Sequence, residues 1–150
     1  MVPERVFSAG RRKTGEGALN NAEMSNKLTL LFSHIQNGQN NRLLLVNTSK
    51  TKAAIAVLNV LQQNGYIRGY RFDARRPRAI VIMLKYKNQE PAIRRDLFVV
   101  PRNKVYLASR NRECSTFTII STSKGIISGI NAHKLNVGGV LICRAAGTCV

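Results

Sequence analysis

Acidic residues are scarce in this chain. Seven Asp plus Glu stand against 24 Lys plus Arg, a formal net charge of +17, and not one acid occurs from Met24 to Phe72 or from Cys114 to Val150. Scattered so thinly, the carboxylates offer no acid–base pair, and the only histidines, His34 and His133, lie far apart. Long apolar runs are missing too: AIVIML at 79–84 falls far short of the ~20 residues that span a bilayer, and the basic residues are not gathered on one amphipathic helix. No secretory apolar segment opens the chain. The three cysteines, Cys114, Cys143 and Cys149, are odd in number and lack CxxC spacing, so neither a disulfide framework nor a zinc knuckle is indicated, and a reducing compartment fits. His133 with Cys143 and Cys149 has irregular spacing and no fourth ligand. No metal and no other cofactor is expected.

What remains is globular and basic. At 150 residues and 44% hydrophobic composition the chain can bury a core, and its charge exceeds what solubility requires. A polyanion explains that excess, and nucleic acid explains it better than a membrane surface or a small-molecule substrate does. The two acid-free stretches imply two basic surfaces.

Residues 1–23 mix Gly, Asn and charges and read as an N-terminal extension, either an organelle transit segment carried by Arg5, Arg11, Arg12 and Lys13 or a tail. From Met24 the apolar positions Met24, Leu28, Leu31 and Ile35 predict an amphipathic helix that stops at Asn37-Gly38. RLLLVNT (42–48) predicts a strand. Ser49 is expected to cap a second helix, with Ala54, Val57, Leu58 and Leu61 on one face and Asn64-Gly65 at its end. YIRGYRF and AIVIMLKY predict a hairpin joined by DARRPR. DLFVV, KVYLA, STFTII and GVLIC then predict short strands, and SGINAHKLN (128–136) a helix capped by Ser128. The fold class is therefore α+β in two small domains, an N-terminal α-β-α-β-β unit over 24–90 and a mainly β unit with a short helix over 91–150.

The stretch STSKG (121–125) carries the sharpest chemical question. Ser121 and Lys124 match the Ser-x-x-Lys of serine acyl-enzymes, which would make this a Ser/Lys hydrolase. The companion motifs of that class, Lys13-Thr-Gly15 and a Ser109-x-Asn111, both precede it, in the reverse order, and no other catalytic set is present. Read as a grip, the hydroxyls of Ser121, Thr122 and Ser123 suit the ribose 2′-OH groups and base edges of A-form RNA, Lys124 suits phosphate, and Gly125 allows close approach. A plain Ser/Thr-rich turn is the remaining alternative.

The segment IISTSKGIISGINAHKLNVGGVLIC resembles the C-terminal signature of the universal small-subunit ribosomal protein eight family. MSNKLTLLFSHIQNGQ, TSKTKAAIAVLNVLQQNGYIRGYRF and LKYKNQEPAI are similar to its first helix, its Ser-Lys-opened helix and the strand leading to its second domain, so the likeness spans most of residues 24–144. The resemblance implies a two-domain, non-enzymatic protein that binds the central domain of small-subunit rRNA beside other ribosomal proteins and supports assembly and translation. An extra-ribosomal RNA binder or translational repressor would use the same residues. Carried onto this sequence, the implied RNA-binding positions are Ser121, Thr122, Ser123, Lys124 and Gly125 with Gly138 and Gly139, and Asn37, Ser49, Lys50, Lys52, Lys85 and Tyr86 in the first half. Lys50 and Lys52 could equally be solvated first-turn residues, and Tyr86 could simply pack. The segment from Tyr106 to Ser121 is shorter than in typical bacterial members, so contacts there are not transferred. Cys143 followed by Arg144 resembles mitochondrial members, and with the extension and the frequent Asn it points to a mitochondrial ribosome in the matrix, with bacterial cytoplasm or plastid as alternatives.

Overall fold

A computed structural model describes residues 26–93, 98–99, 105–106 and 116–146. The first helix, α1, covers 26–40, and Leu28, Leu31, Phe32 and Ile35 are buried at the spacing the sequence predicts. Met24 lies outside the described residues. The expected stop at Asn37-Gly38 is corrected, because both residues are helical. A Cβ on Gly38 would collide with the Val46 side chain and come within 3.0 Å of Leu84 Cδ1, so this glycine lets the first strand close onto the helix. The stop comes later, where Leu43 N–H bonds Gly38 O at 2.8 Å and Arg42 N–H bonds Gln39 O at 3.1 Å around Arg42 at φ 54°. That pair of bonds is a Schellman cap with arginine in the left-handed position.

Strand β1, Leu45–Ser49, leads to α2, Lys52–Gln63. Thr51, not Ser49, caps α2, accepting the Ala54 N–H at 3.1 Å. Ser49 is held elsewhere: it pairs with Ala79 as the last residue of β1, and Lys50 N–H continues the ladder to Arg78 O at 2.7 Å. Gly65, at φ 77°, closes α2 with the bonds Tyr66 N–H to Leu61 O and Gly65 N–H to Gln62 O. The predicted hairpin follows as β2, Ile67–Phe72, and β3, Ala79–Leu84, and the strand order β1-β3-β2 makes an antiparallel sheet. Alternation along β3 sends Ile80, Ile82 and Leu84 into the core with α1 and α2. Each such side chain contributes about 1.5–3 kcal/mol of transfer free energy.

A two-residue turn at Asn88-Gln89, with φ of 52° and 66°, joins β4, Tyr86–Lys87, to β5, Glu90–Pro91. Positive φ at both central positions is what a type I′ hairpin turn requires. The second sheet contains β6 (Phe98–Val99), β7 (Val105–Tyr106), β8 (Thr116–Thr122), β9 (Gly125–Ser128) and β10 (Gly139–Ala146). Its order is β6-β10-β8-β9, and β7 also pairs with β10. GIIS forming β9 adds a strand where the sequence assigns no element before the helix at 128–136. That helix, α3, is Gly129–Lys134, capped by Ser128 as expected and closed by the bonds Val137 N–H to Ala132 O and Asn136 N–H to His133 O.

The two faces of β8 do different jobs. Phe117 and Ile119 join the cluster built on α1 and α2, where the Tyr66 and Phe117 rings lie 4.6 Å apart. Ile120 faces the other way, onto Ala132 of α3 and Leu141. A bulge in β10 between Leu141 and Cys143 fits this switch, since Leu141 packs on the α3 side while Ile142 and Cys143 pack on the other. One hydrophobic cluster thus draws on residues from both halves of the chain.

Candidate nucleic-acid interface

STSKG is a hairpin tip. Ser121 and Thr122 end β8, Ser123 and Lys124 form the turn, and Gly125 opens β9, with Thr122 opposite Gly125 and Ser121 opposite Ile126. Within the tip only Gly125 takes a positive φ, 108°, and an added Cβ there would meet nothing within 4 Å. Ser123, Lys124 and Gly125 are exposed. The Thr122 hydroxyl donates to Gly125 O at 2.9 Å and accepts the Lys124 N–H at 3.2 Å, so it shapes the turn from within. Ser121 is half-buried between Val140 of β10 and Ile126 of β9.

Gly139 stands directly behind the tip. It pairs with Thr122, and a Cβ there would run into the Ser121 carbonyl oxygen and approach Ile120 Cγ2 at 2.9 Å. The Gly138-Gly139 pair, with Gly138 exposed, therefore sets how closely β10 backs the turn. The same geometry removes the premise of an acyl-enzyme. Spacing of three brings Ser and Lys together on a helix, whereas here Ser121 is a strand residue and Lys124 lies beyond it in the turn.

The remaining predicted positions fall into two further groups at opposite ends of β1, about 13 Å apart at strand rise. At one end Ser49 and Lys50 are exposed beside Arg78, with Lys52 exposed as the first residue of α2. At the other end Asn37 is exposed on α1, Lys85 is half-buried, and the Tyr86 hydroxyl donates to Leu43 O at 2.6 Å and contacts Gly38 O at 3.4 Å. Burial raises the Tyr86 pKa, and the nearby Arg42 charge partly offsets it. Tyr86 fastens the end of α1 to β4 through its hydroxyl.

Asp73 and Glu90 are the only acids among the described residues, so the positive field over these groups has little to oppose it. The Asp73 carboxylate is itself engaged, accepting the Arg75 N–H at 2.9 Å. Cys143 is fully buried and free, and burial pushes its thiol up to about 12, against a smaller opposing effect from the Ile119 backbone. A neutral buried thiol is a packing group rather than a ligand or nucleophile. Among the described residues no three His, Cys, Asp or Glu lie together as metal ligands. Cys114, Cys149, residues 1–23 with Lys13-Thr-Gly15, and the stretch at 109–113 lie outside the described residues.

One feature was not foreseen from the sequence. The DARRPR turn, expected only as a polar connection, exposes Arg75, Arg76 and Arg78 and sets Arg78 beside Lys50, whose Nζ lies 4.5 Å from the ring centroid of the exposed Phe72. The sequence holds four arginines, Arg71, Arg75, Arg76 and Arg78, close to Phe72, but Lys50 lies far from it in the chain and a Phe ending a strand reads as core.

The family model for ribosomal protein S8 matches residues 26–145. The small ribosomal subunit protein uS8 of Ruegeria sp. (strain TM1040) is 37% identical over 127 residues, covering 80% of this chain and 98% of the relative. That of Erythrobacter litoralis (strain HTCC2594) is 38% identical, covering 81% and 97%. The small ribosomal subunit protein uS8m of Acanthamoeba castellanii is 36% identical over 124 residues, covering 78% and 96%.

Proposed function

This chain belongs to the ribosomal protein S8 family and is a structural constituent of the small ribosomal subunit, and from that premise we propose that it grips the central domain of small-subunit rRNA through the β8–β9 tip. The observation that carries this reading is the exposure of Ser123 and Lys124 on a turn whose shape Thr122 fixes from inside. Hydroxyls at Ser121 and Ser123 face ribose and base edges, Lys124 meets phosphate, and the open space before Gly125 admits the RNA backbone. Ser49, Lys50 and Lys52 supply a second set of phosphate contacts. Its other partners are neighbouring ribosomal proteins, and its role is assembly and translation rather than catalysis. The ribosome concerned is mitochondrial: uS8m of Acanthamoeba castellanii and the Cys143-Arg144 pair support that assignment.

Binding of the full chain to a central-domain rRNA fragment, measured across salt concentration, tests the reading. Log K falls by roughly 0.7–0.9 per unit of log salt for each phosphate neutralised. Lys124→Ala lowers that slope by about one phosphate's worth, and Ser123→Ala weakens binding at all salts. A flat salt response, or a Lys124→Ala slope equal to that of the parent, contradicts it. Co-sedimentation of the tagged chain with mitochondrial rather than other small subunits tests the compartment.

A further inference from the structure

We propose that the tip of the β2–β3 hairpin is a further site for unpaired RNA, sharing Lys50 with the phosphate contacts above, in which a base stacks on Phe72 while Lys50 and the arginines of the 73–78 turn hold the flanking phosphates. The inference rests on the RNA-binding reading above but uses none of the β8–β9 residues.

Phe72 is the starting point. It is 52% exposed, and it is the one exposed ring among the aromatic side chains described. Leaving such a ring in water is unfavourable, yet the ring is held in place rather than loose. Lys50 Nζ sits 4.5 Å from its centroid, and Tyr70 meets it edge-on, with centroids 6.1 Å apart and planes at 82°. Tyr70 is anchored in turn, its hydroxyl donating to Asn59 Oδ1 of α2 at 2.6 Å. The ring is thus pre-ordered, which reduces the entropy lost on binding.

The charge around it is of one sign. Arg75, Arg76 and Arg78 are exposed in the turn, and the bond from Lys50 N–H to Arg78 O at 2.7 Å brings Lys50 to the same end of the sheet. From Arg42 to Arg78 the only acid is Asp73, whose carboxylate already accepts the Arg75 N–H. An aromatic platform ringed by cations is the combination that single-stranded nucleic acid selects, since every base has a stacking face and every linkage a phosphate. A continuous A-form duplex offers such a ring no free base face, so the partner is a loop, bulge or single strand. An acidic polypeptide would satisfy the charges but would give no reason for the held ring.

Fluorescence anisotropy of a labelled, mixed-sequence single-stranded RNA, titrated with the full chain, tests the proposal. Phe72→Leu keeps an apolar side chain and removes the ring; affinity for the strand falls by about five-fold or more, the equivalent of one lost base stack. Because Phe72 is exposed, an unchanged melting temperature accompanies that loss. Arg75→Gln with Arg76→Gln lowers the single-strand salt slope by about 0.7 for each phosphate contact removed. Lys124→Ala weakens binding to the central-domain fragment and leaves the single strand bound as before. Equal affinity of Phe72→Leu and the parent for the strand overturns the proposal and leaves an acidic-polypeptide surface as the reading of the charges. If the parent fails to bind the central-domain fragment but binds the single strand in a Phe72-dependent way, the β8–β9 reading falls and this one stands.

Discussion

The Thr122 hydroxyl is bonded at once to the Gly125 carbonyl and the Lys124 amide, at 2.9 and 3.2 Å, so a residue expected to touch RNA is occupied in bending its own backbone. Its contribution to binding is then indirect. Thr122→Val keeps the shape and β-branching but loses both bonds; RNA affinity falls by about 1 kcal/mol as the turn loosens. Thr122→Ser restores it. A Thr122→Ser variant as weak as Thr122→Val in a filter-binding assay against the central-domain fragment would show the methyl group, not the hydroxyl, to be the active part.

Gly139 cannot accept a side chain. The obstacle is the Ser121 carbonyl in the paired strand, which is backbone and cannot rotate away. Gly139→Ala costs about 1–3 kcal/mol, read as a fall in melting temperature of about 2–4 °C per kcal/mol. Gly138→Ala, one residue outside the strand, costs less.

Helix capping separates two neighbouring hydroxyl residues. Thr51→Ala removes the acceptor for the Ala54 N–H and costs about 1 kcal/mol of unfolding free energy. Ser49→Ala, in an exposed strand position, stays within about 0.5 kcal/mol of the parent. Urea denaturation midpoints at fixed m distinguish the two.

Cys143 makes stability fall in alkali. Its thiol titrates at about 12 when folded against an ordinary 9.0, so the unfolded chain loses its proton first. The contribution is complete below pH 9.0 and is lost as pH rises from there toward about 12, at about 1.4 kcal/mol per pH unit. Cys143→Val, which cannot ionise, shows a shallower alkaline decline in urea titrations run in parallel. Identical declines for parent and variant would place the titration elsewhere.

Periodic features and some boundaries, such as the Gly65 end of α2 and the Ser128 cap of α3, were legible in the sequence, while other boundaries were not. Leu28, Leu31 and Ile35 on α1 and Ala54, Val57, Leu58 and Leu61 on α2 are buried as their spacing indicated, and Ser128 caps α3. Ser49 and Thr51 offer the same local chemistry, however, and only the pairing of Ser49 with Ala79, set by a hairpin some thirty residues away, decides between them. Gly38 carries the local sign of a helix stop but is needed for contact with Val46 and Leu84, which no local pattern reveals. The candidate site divides similarly. A hydroxyl-Lys-Gly run states its turn outright, whereas Phe72 becomes informative only once Lys50 and Tyr70 are seen beside it.

The position of β10 bears on how the chain can be made. Of the strands in its sheet it is translated after β6, β7, β8 and β9, yet three of those four, β6, β7 and β8, bond to it, and its Cys143 completes the cluster that α1 and α2 begin. Until residues 139–146 have left the exit tunnel, the described strands β6 and β7 have no partner strand and β8 pairs only with β9. Assembly of this sheet therefore waits for β10 to be made and closes long loops when it comes, a slow step. A chain whose work is inside a ribosome must have released residues 139–146 from one before it can adopt the shape that work requires.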